Sequence, residues 1–181
     1  MADSAGPPVF LGFDLSTQSC KSVIVDRDGR LHASAKVIFD EDLAQYGTTG
    51  GVHRLDGGRV VSSPVMWAHA LELCVQRLTA EAGSDLMGRV AAISGSGQQH
   101  GTVYWSHAGL STLQQLRTEG SLEEQLCDSF LRDSPVWMDT SCTQSCRELE
   151  ALLGGPSEVS GRTGSAAFER FSVHLIRKSW E

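Results

Sequence analysis

The sequence predicts an α/β domain with a mixed sheet of about five strands flanked by helices. Three observations carry that reading. The run Val9–Asp14 is almost continuously apolar, as a strand buried on both faces should be. Two more strand-like runs follow, 21–26 and 31–39. They are joined at Asp28-Gly29, a hairpin signal because both central positions can take positive φ. A capped helix then leads to a second apolar run, Val90–Ser94, which is expected to lie parallel to the first strand and to be buried.

Taken in order, residues 1–8 are rich in Ala, Gly and Pro and carry neither basic residues nor an apolar stretch. They are expected to be disordered and not to form a signal peptide. The first two strands then enclose Ser16-Thr17-Gln18, with Asp14 closing the first strand and Lys21 opening the second. A turn of small polar residues can aim backbone N–H groups at a phosphate, and Ser16 and Thr17 add hydroxyl donors. Asp14 could face phosphate only through a magnesium ion, or through water on that ion. The same residues also suit an ordinary buried hairpin with a polar turn. No Gly-x-x-x-x-Gly-Lys-Ser/Thr phosphate loop occurs in the chain.

Residues 40–62 read as loop. The glycines in Gly47–His53 and Asp56–Gly58 allow close backbone approach or mobility, and composition favours mobility. Ser63-Pro64 starts a helix, with a cap residue before proline at the first helical position. Trp67, Leu71, Cys74, Val75 and Leu78 form its core stripe, and Gly83 is expected to stop it. The strand at Val90 runs into Gly95-Ser96-Gly97-Gln98-Gln99-His100-Gly101. Its glycines leave room at a strand end, where open α/β sheets bind ligands, and Gln98, Gln99 and His100 could reach sugar hydroxyls. His100 could equally be a hydrogen-bonded loop histidine. No helical pattern follows, so a dinucleotide fingerprint is excluded, and Thr102–Trp105 reads as another strand.

Beyond it, Ser121-Leu122-Glu123-Glu124 is a capping box within a partly helical segment, 106–134. Pro135–Asp139 reads as extended, and Trp137 with Asp139 is a pair found both where sugars bind and in cores. Ser141-Cys142-Thr143-Gln144 is a second capping-box pattern. It opens a helix to Leu153, stopped at Gly154-Gly155-Pro156, with Cys142 and Cys146 on its buried face. Arg170 offers a fixed fork of donors to a ligand, or a salt bridge to Glu169 or another acid.

With 181 residues, 40% hydrophobic and 20% charged, the chain has the size and composition of one globular domain. A net charge of −7 without a basic stripe argues against a nucleic-acid binder. No apolar run reaches the roughly 20 residues that a membrane helix needs. The five cysteines follow no secretory spacing and are expected to be reduced, in the cytosol.

Five motifs occur in one order. They are the Asp14 hairpin, Gly47–His53 after Phe39-Asp40, Ser94–Gly101, Pro135–Asp139 and Phe168-Glu169-Arg170-Phe171. Together, from about Val9 to Phe171, they resemble the N-terminal domain of the FGGY-family carbohydrate kinases, the animal-type xylulokinases in particular. The resemblance implies a ribonuclease-H-like, actin-like ATPase domain over 9–171 and ATP-dependent phosphorylation of D-xylulose. By motif, His100, Arg170 and Gln99 would contact the ketose, and Trp137 and Asp139 would line its cleft. Asp14, Ser16, Thr17, Gln18 and Lys21 would face ATP and Mg2+, with Asp14 as the metal contact. Members also carry a second domain with the general-base aspartate, so no catalytic residue is assigned here and the chain is expected to be inactive alone. Residues 172–181 depart from the family pattern and are expected to pack poorly. Two alternatives remain, a non-catalytic sugar-binding or regulatory fragment and an actin-fold nucleotide-binding protein.

Overall fold

A computed structural model describes residues 6–178, so the disorder expected for 1–8 and the end of the expected tail fall largely outside the described residues. Strands β1 (Val9–Leu15), β2 (Ser19–Val25) and β3 (Leu31–Ile38) form the expected antiparallel meander. Alternation puts Val9 and Leu11 of β1 on one face, where they cluster with Ile24, Ala33 and Leu78. Among the described residues no helix packs on the opposite face, and its Lys21, Val23, Ser34 and Lys36 are exposed.

The stretch 39–62 is more ordered than its composition suggests. It holds a short helix α1 (Phe39–Asp42), β4 (His53–Arg54) and β5 (Val60–Ser62). Helix α2 (Pro64–Met87) starts as expected, with Ser63 accepting from the Met66 N–H. It packs on β2 and β3, and its Met66, Trp67, Ala70 and Cys74 join Cys20, Val37 and Phe39 in a second core cluster. Gly83 breaks the helix at φ +79°, but the chain resumes helical geometry to Met87.

Strand β6 (Val90–Gly97) pairs parallel with β1, as expected, matching Leu11 to Ile93 and Asp14 to Ser96. It is not buried. The order β3-β2-β1-β6 leaves it at the edge of the described sheet, α2 packs on β2 and β3, and Ile93 is 67% exposed. Among the described residues the main sheet therefore has four strands instead of about five.

Thr102–Trp105 forms no strand; Trp105 makes one isolated bridge, to Phe130. Helices α3 (His107–Gln114) and α4 (Leu122–Leu126) follow, the latter with the expected Ser121–Glu124 capping box. Strand β7 (Ser134–Pro135) completes a second small sheet in the order β4-β5-β7. Helix α5 (Thr143–Leu153) lacks the expected capping box, because the Ser141 hydroxyl donates to Asp139 at 2.5 Å instead. Cys142 and Cys146 are buried as expected, and burial pushes the Cys146 thiol up to about 12. Two helices were not foreseen, α6 (Pro156–Thr163) and α7 (Ser172–Lys178). Within the latter, His174 and Leu175 are buried, Arg177 pairs with Glu148 at 2.6 Å and Lys178 donates to the Ser141 carbonyl. The expectation of poor packing thus fails for 172–178.

Candidate functional site

The β1–β2 hairpin carries the site. In register, Asp14 lies opposite Lys21, and their side chains meet at 3.5 Å with both about half exposed. Ser16 donates its hydroxyl to Asp14 at 2.8 Å, while its N–H closes the turn on the Ser19 carbonyl. Among the described residues, no backbone hydrogen bond uses the N–H of Thr17 or Gln18. Two donors at the turn are thus free for an anion, the provision a phosphate loop needs.

Behind the turn, Gly50-Gly51 is locked against it. Asp40 accepts from the Thr48 hydroxyl at 2.6 Å and from the N–H groups of Gly50 and Gly51 at 2.6 and 3.0 Å. Burial acts to raise the Asp40 carboxyl, but these three bonds together hold it below the usual carboxylate value. A Cβ on Gly51 would stand 2.1 Å from the Thr17 carbonyl oxygen. The mobility favoured by composition is therefore corrected: this loop is the rear wall of the turn.

In front of the turn, a cavity of about 410 Å3 is lined by Ser16, Thr17, Gln98, Gln99, His100, Trp137 and Arg170. The turn that follows β6 brings Gln98, Gln99 and His100 to the same sheet end as the hairpin, because β1 and β6 run parallel. His100 sits at φ +61°, the one non-glycine residue with positive φ among the described residues. Such strain, worth roughly 1–2 kcal/mol, is kept where a side chain must be aimed. Its ring meets Phe171 edge-on at 5.6 Å, and Phe171 in turn meets Phe168. Phe168 also supports the Arg170 guanidinium, 5.1 Å from its ring centroid. Arg170 makes no salt bridge among the described residues, so its fork is free toward the cavity. Trp137 donates its indole N–H to Thr17 at 3.2 Å and ties this wall to the hairpin.

Four expected site residues lie outside the cavity wall, Asp14, Gln18, Lys21 and Asp139. Gln18 is exposed, with its amide beside Gly50 and its carbonyl accepting from Phe39. Lys21 stands on the open sheet face with Asp14, beside the cavity and not in its wall. Asp139 is 2% exposed, and its oxygens accept from the N–H groups of Val60 and Ser141 and from the Ser141 hydroxyl. It joins β5 to the turn before α5, so its carboxylate is committed to the fold.

One residue takes a larger place than the sequence gives it. Gln98 accepts from Thr17 at 3.4 Å, and its buried Nε2 has no partner in the described chain. An unsatisfied buried donor costs about 1–3 kcal/mol, which a ligand oxygen would offset. The Gln-Gln pair signals the position, and both glutamines line the cavity, but no spacing in the sequence tells which amide is buried there.

No protein-family model matches the chain. Among known sequences it is 46% identical over 183 residues to xylulose kinase 2 of Arabidopsis thaliana, an alignment covering 98% of this chain and 32% of that protein. It is 43% identical to the xylulose kinase of Rattus norvegicus, over 100% of this chain and 34% of the relative. Among solved structures, a xylulose kinase from Rhodospirillum rubrum superposes with a TM-score of 0.69 at 19% identity, over 93% of this chain and 28% of that one. A glycerol kinase from Plasmodium falciparum, solved with ADP, gives 0.58 at 17% identity, over 94% of this chain and 28% of that one. The class these likenesses define is the actin-like ATPase fold of the sugar kinases. Within that class the chain is similar, over nearly its whole length, to part of the FGGY-family xylulose kinases. It spans about a third of the length of the curated relatives it matches.

Proposed function

We propose that residues 9–171 are the ketose-holding domain of an ATP-dependent kinase that converts D-xylulose to xylulose 5-phosphate, acting in the cytosol. The observation that carries the reading is that His100 and Arg170, far apart in sequence, share one cavity with Ser16 and Thr17 of the hairpin. Sugar donors and phosphate donors then face the same space, as phosphoryl transfer requires. His100, Arg170 and the inward amide of Gln98 fix the ketose hydroxyls. Gln99 borders them, and Trp137 covers an apolar sugar face and excludes water.

Ser16, Thr17 and the free N–H groups of the turn would hold phosphate oxygens of ATP. Among the described residues no group of three His, Cys, Asp or Glu side chains could hold a metal ion. Mg2+ usually keeps several waters and would bind through the phosphates; Asp14 would meet it through water, with Lys21 beside it. When bound, Mg2+ would neutralise phosphate charge. The role of this chain is to orient and to desolvate.

The cavity wall carries no carboxylate among the described residues, which favours a second reading of the fragment, sugar binding without transfer. General-base help is worth roughly two to four decades, so a chain without it holds sugar and turns over negligibly. Titration calorimetry with D-xylulose and with ATP, alongside an ADP-release assay, tests both readings. Xylulose binding that His100→Ala weakens about ten- to a hundredfold supports the sugar site. Unchanged affinity in that variant rejects it, and ATP binding without sugar binding would favour a nucleotide-binding protein of another kind. Turnover that follows the protein through purification and vanishes in Asp14→Ala would overturn the non-catalytic reading.

A further inference from the structure

We propose that the Thr17 side chain is a positioning group for the sugar and not a hydroxyl donor to phosphate: held by Trp137, it fixes the amide of Gln98 with the NH2 group left for the ketose. The inference rests on the ketose-site reading above. Three side chains from distant parts of the sequence form one relay at the cavity. The Trp137 indole N–H donates to the Thr17 hydroxyl at 3.2 Å, and that hydroxyl donates to Gln98 Oε1 at 3.4 Å. Gln98 Nε2 is buried and has no partner among the described residues.

Counting protons fixes the direction of the relay. An indole N–H only donates, a hydroxyl holds one proton, and an amide side chain accepts only at its oxygen. The Thr17 oxygen therefore accepts from Trp137, and its single proton is spent on Gln98 Oε1. Turning the amide over would aim two donors, the indole and the NH2 group, at one hydroxyl, and would leave the hydroxyl proton without an acceptor in the relay. The observed orientation pairs every group except Nε2. An acceptor oxygen of a bound ketose satisfies that donor, which is costly while it stays buried and unmet.

Thr17 is held firmly enough for this task. Gly51 packs against its carbonyl from behind, and its β-branched side chain is stiff at χ1. Among the described residues, no backbone hydrogen bond uses its N–H. With the hydroxyl committed to the relay, that N–H is what Thr17 offers to phosphate. One residue then serves both halves of the site, its backbone facing phosphate and its side chain acting on the sugar through Gln98. Removing the hydroxyl should therefore loosen the sugar and spare the phosphate contact.

The test is titration calorimetry of the 181-residue chain with D-xylulose and with ATP and magnesium, alongside hydrogen exchange of the Gln98 side-chain amide followed by NMR. Thr17→Val keeps the side-chain shape and removes the hydroxyl. It is expected to weaken xylulose about tenfold, to leave ATP affinity within about twofold, and to speed exchange of the Gln98 NH2 protons by about tenfold or more. Thr17→Ser, which restores the hydroxyl, is expected to bring all three readouts within about threefold of wild type. Gln98→Met is expected to weaken xylulose by about tenfold or more, and adding Thr17→Val to it should cost less than about twofold further, because Thr17 acts through Gln98. Additive losses overturn the proposal. So does weaker ATP with unchanged xylulose, which would make the hydroxyl a phosphate donor. Equal losses of both ligands in Thr17→Val that Thr17→Ser does not recover also overturn it, by assigning the side chain a packing role. The exchange readout needs no ligand. A wild-type chain that binds no xylulose, but whose Gln98 exchange responds to Thr17→Val, would refute the ketose reading and support the positioning. Exchange that ignores Thr17→Val overturns the positioning whether or not sugar binds.

Discussion

Gly47–His53 and Gly95–Gly101 both bring clustered glycines to the hairpin, yet one is locked and the other open. In the first, Asp40 gathers three donors, and Gly51 lies so close to Thr17 that no side chain fits. In the second, Gly95 and Gly97 face empty space, and the chain stores its strain at His100. The difference teaches that glycine content does not decide mobility. What decides it is whether an acceptor lies within reach of the N–H groups that the glycines expose. The locked loop serves the fold of the turn; the open one presents side chains to the cavity.

The sharpest way to break this comparison is Gly51→Ala. The new methyl group must displace the Thr17 carbonyl, and the residue must also hold φ +76°. Overpacking and left-handed strain together should cost roughly 3–4 kcal/mol in urea unfolding. Xylulose affinity should fall too, because the displaced strand segment carries Ser16 and Thr17. A loss below about 1 kcal/mol would mean that the loop is free after all.

Asp40→Ala tests the same lock from its other side. The carboxylate is solvent-exposed, so its three bonds are worth about 1–2 kcal/mol at neutral pH, below the sum for buried ones. Its folded pKa is depressed. That stabilisation is therefore complete above the unfolded value of about 3.9 and fades as pH falls through the folded value. Wild type and variant should differ most near pH 7 and converge in acid. A gap that persists at low pH would assign the effect to packing and not to the charged acceptor.

In the open stretch, His100→Gly should separate stability from binding. Glycine relieves the left-handed strain, about 1 kcal/mol, while the edge contact with Phe171 is lost. Thermal stability should then move by less than about 1 kcal/mol in either direction, while xylulose affinity falls at least tenfold. Large destabilisation would make His100 a structural residue of the locked kind.

The same contrast explains what could be read from the chain. The hairpin was legible because its signals are local: an apolar run, a polar turn and the strand alternation that follows. Helix α2 was legible from Ser63-Pro64 and its stripe. The role of Asp139 was not, because its partner Val60 lies in a distant strand, and no spacing encodes that meeting. Nor was the clamp by Asp40, for the same reason. Val90–Ser94 was read as buried because apolar composition reports what a strand can tolerate, not what covers it. Thr102–Trp105 has β-prone residues, but its nearest ladder partner is a single bridge, so propensity lost to tertiary context. The choice between Gln98 and Gln99 is not encoded locally either, because both lie in the turn beyond β6, where no strand alternation assigns their faces.

Gly95→Ala should have the smallest effect on folding and is informative for that reason. Gly95 lies in extended backbone within β6, and a methyl group there meets open space. Alanine also removes unfolded-state freedom, so stability should hold or rise by about 0.4–1 kcal/mol, opposite in sign to Gly51→Ala. The xylulose site should not change, because the side chain at 95 points along the α2 side of the sheet with Ile93, away from the cavity wall. Two readouts are thus expected in one variant: unfolding free energy level or up, and sugar affinity level. A drop in stability like that of Gly51→Ala would show that the second stretch is also locked, by contacts that a static arrangement does not display.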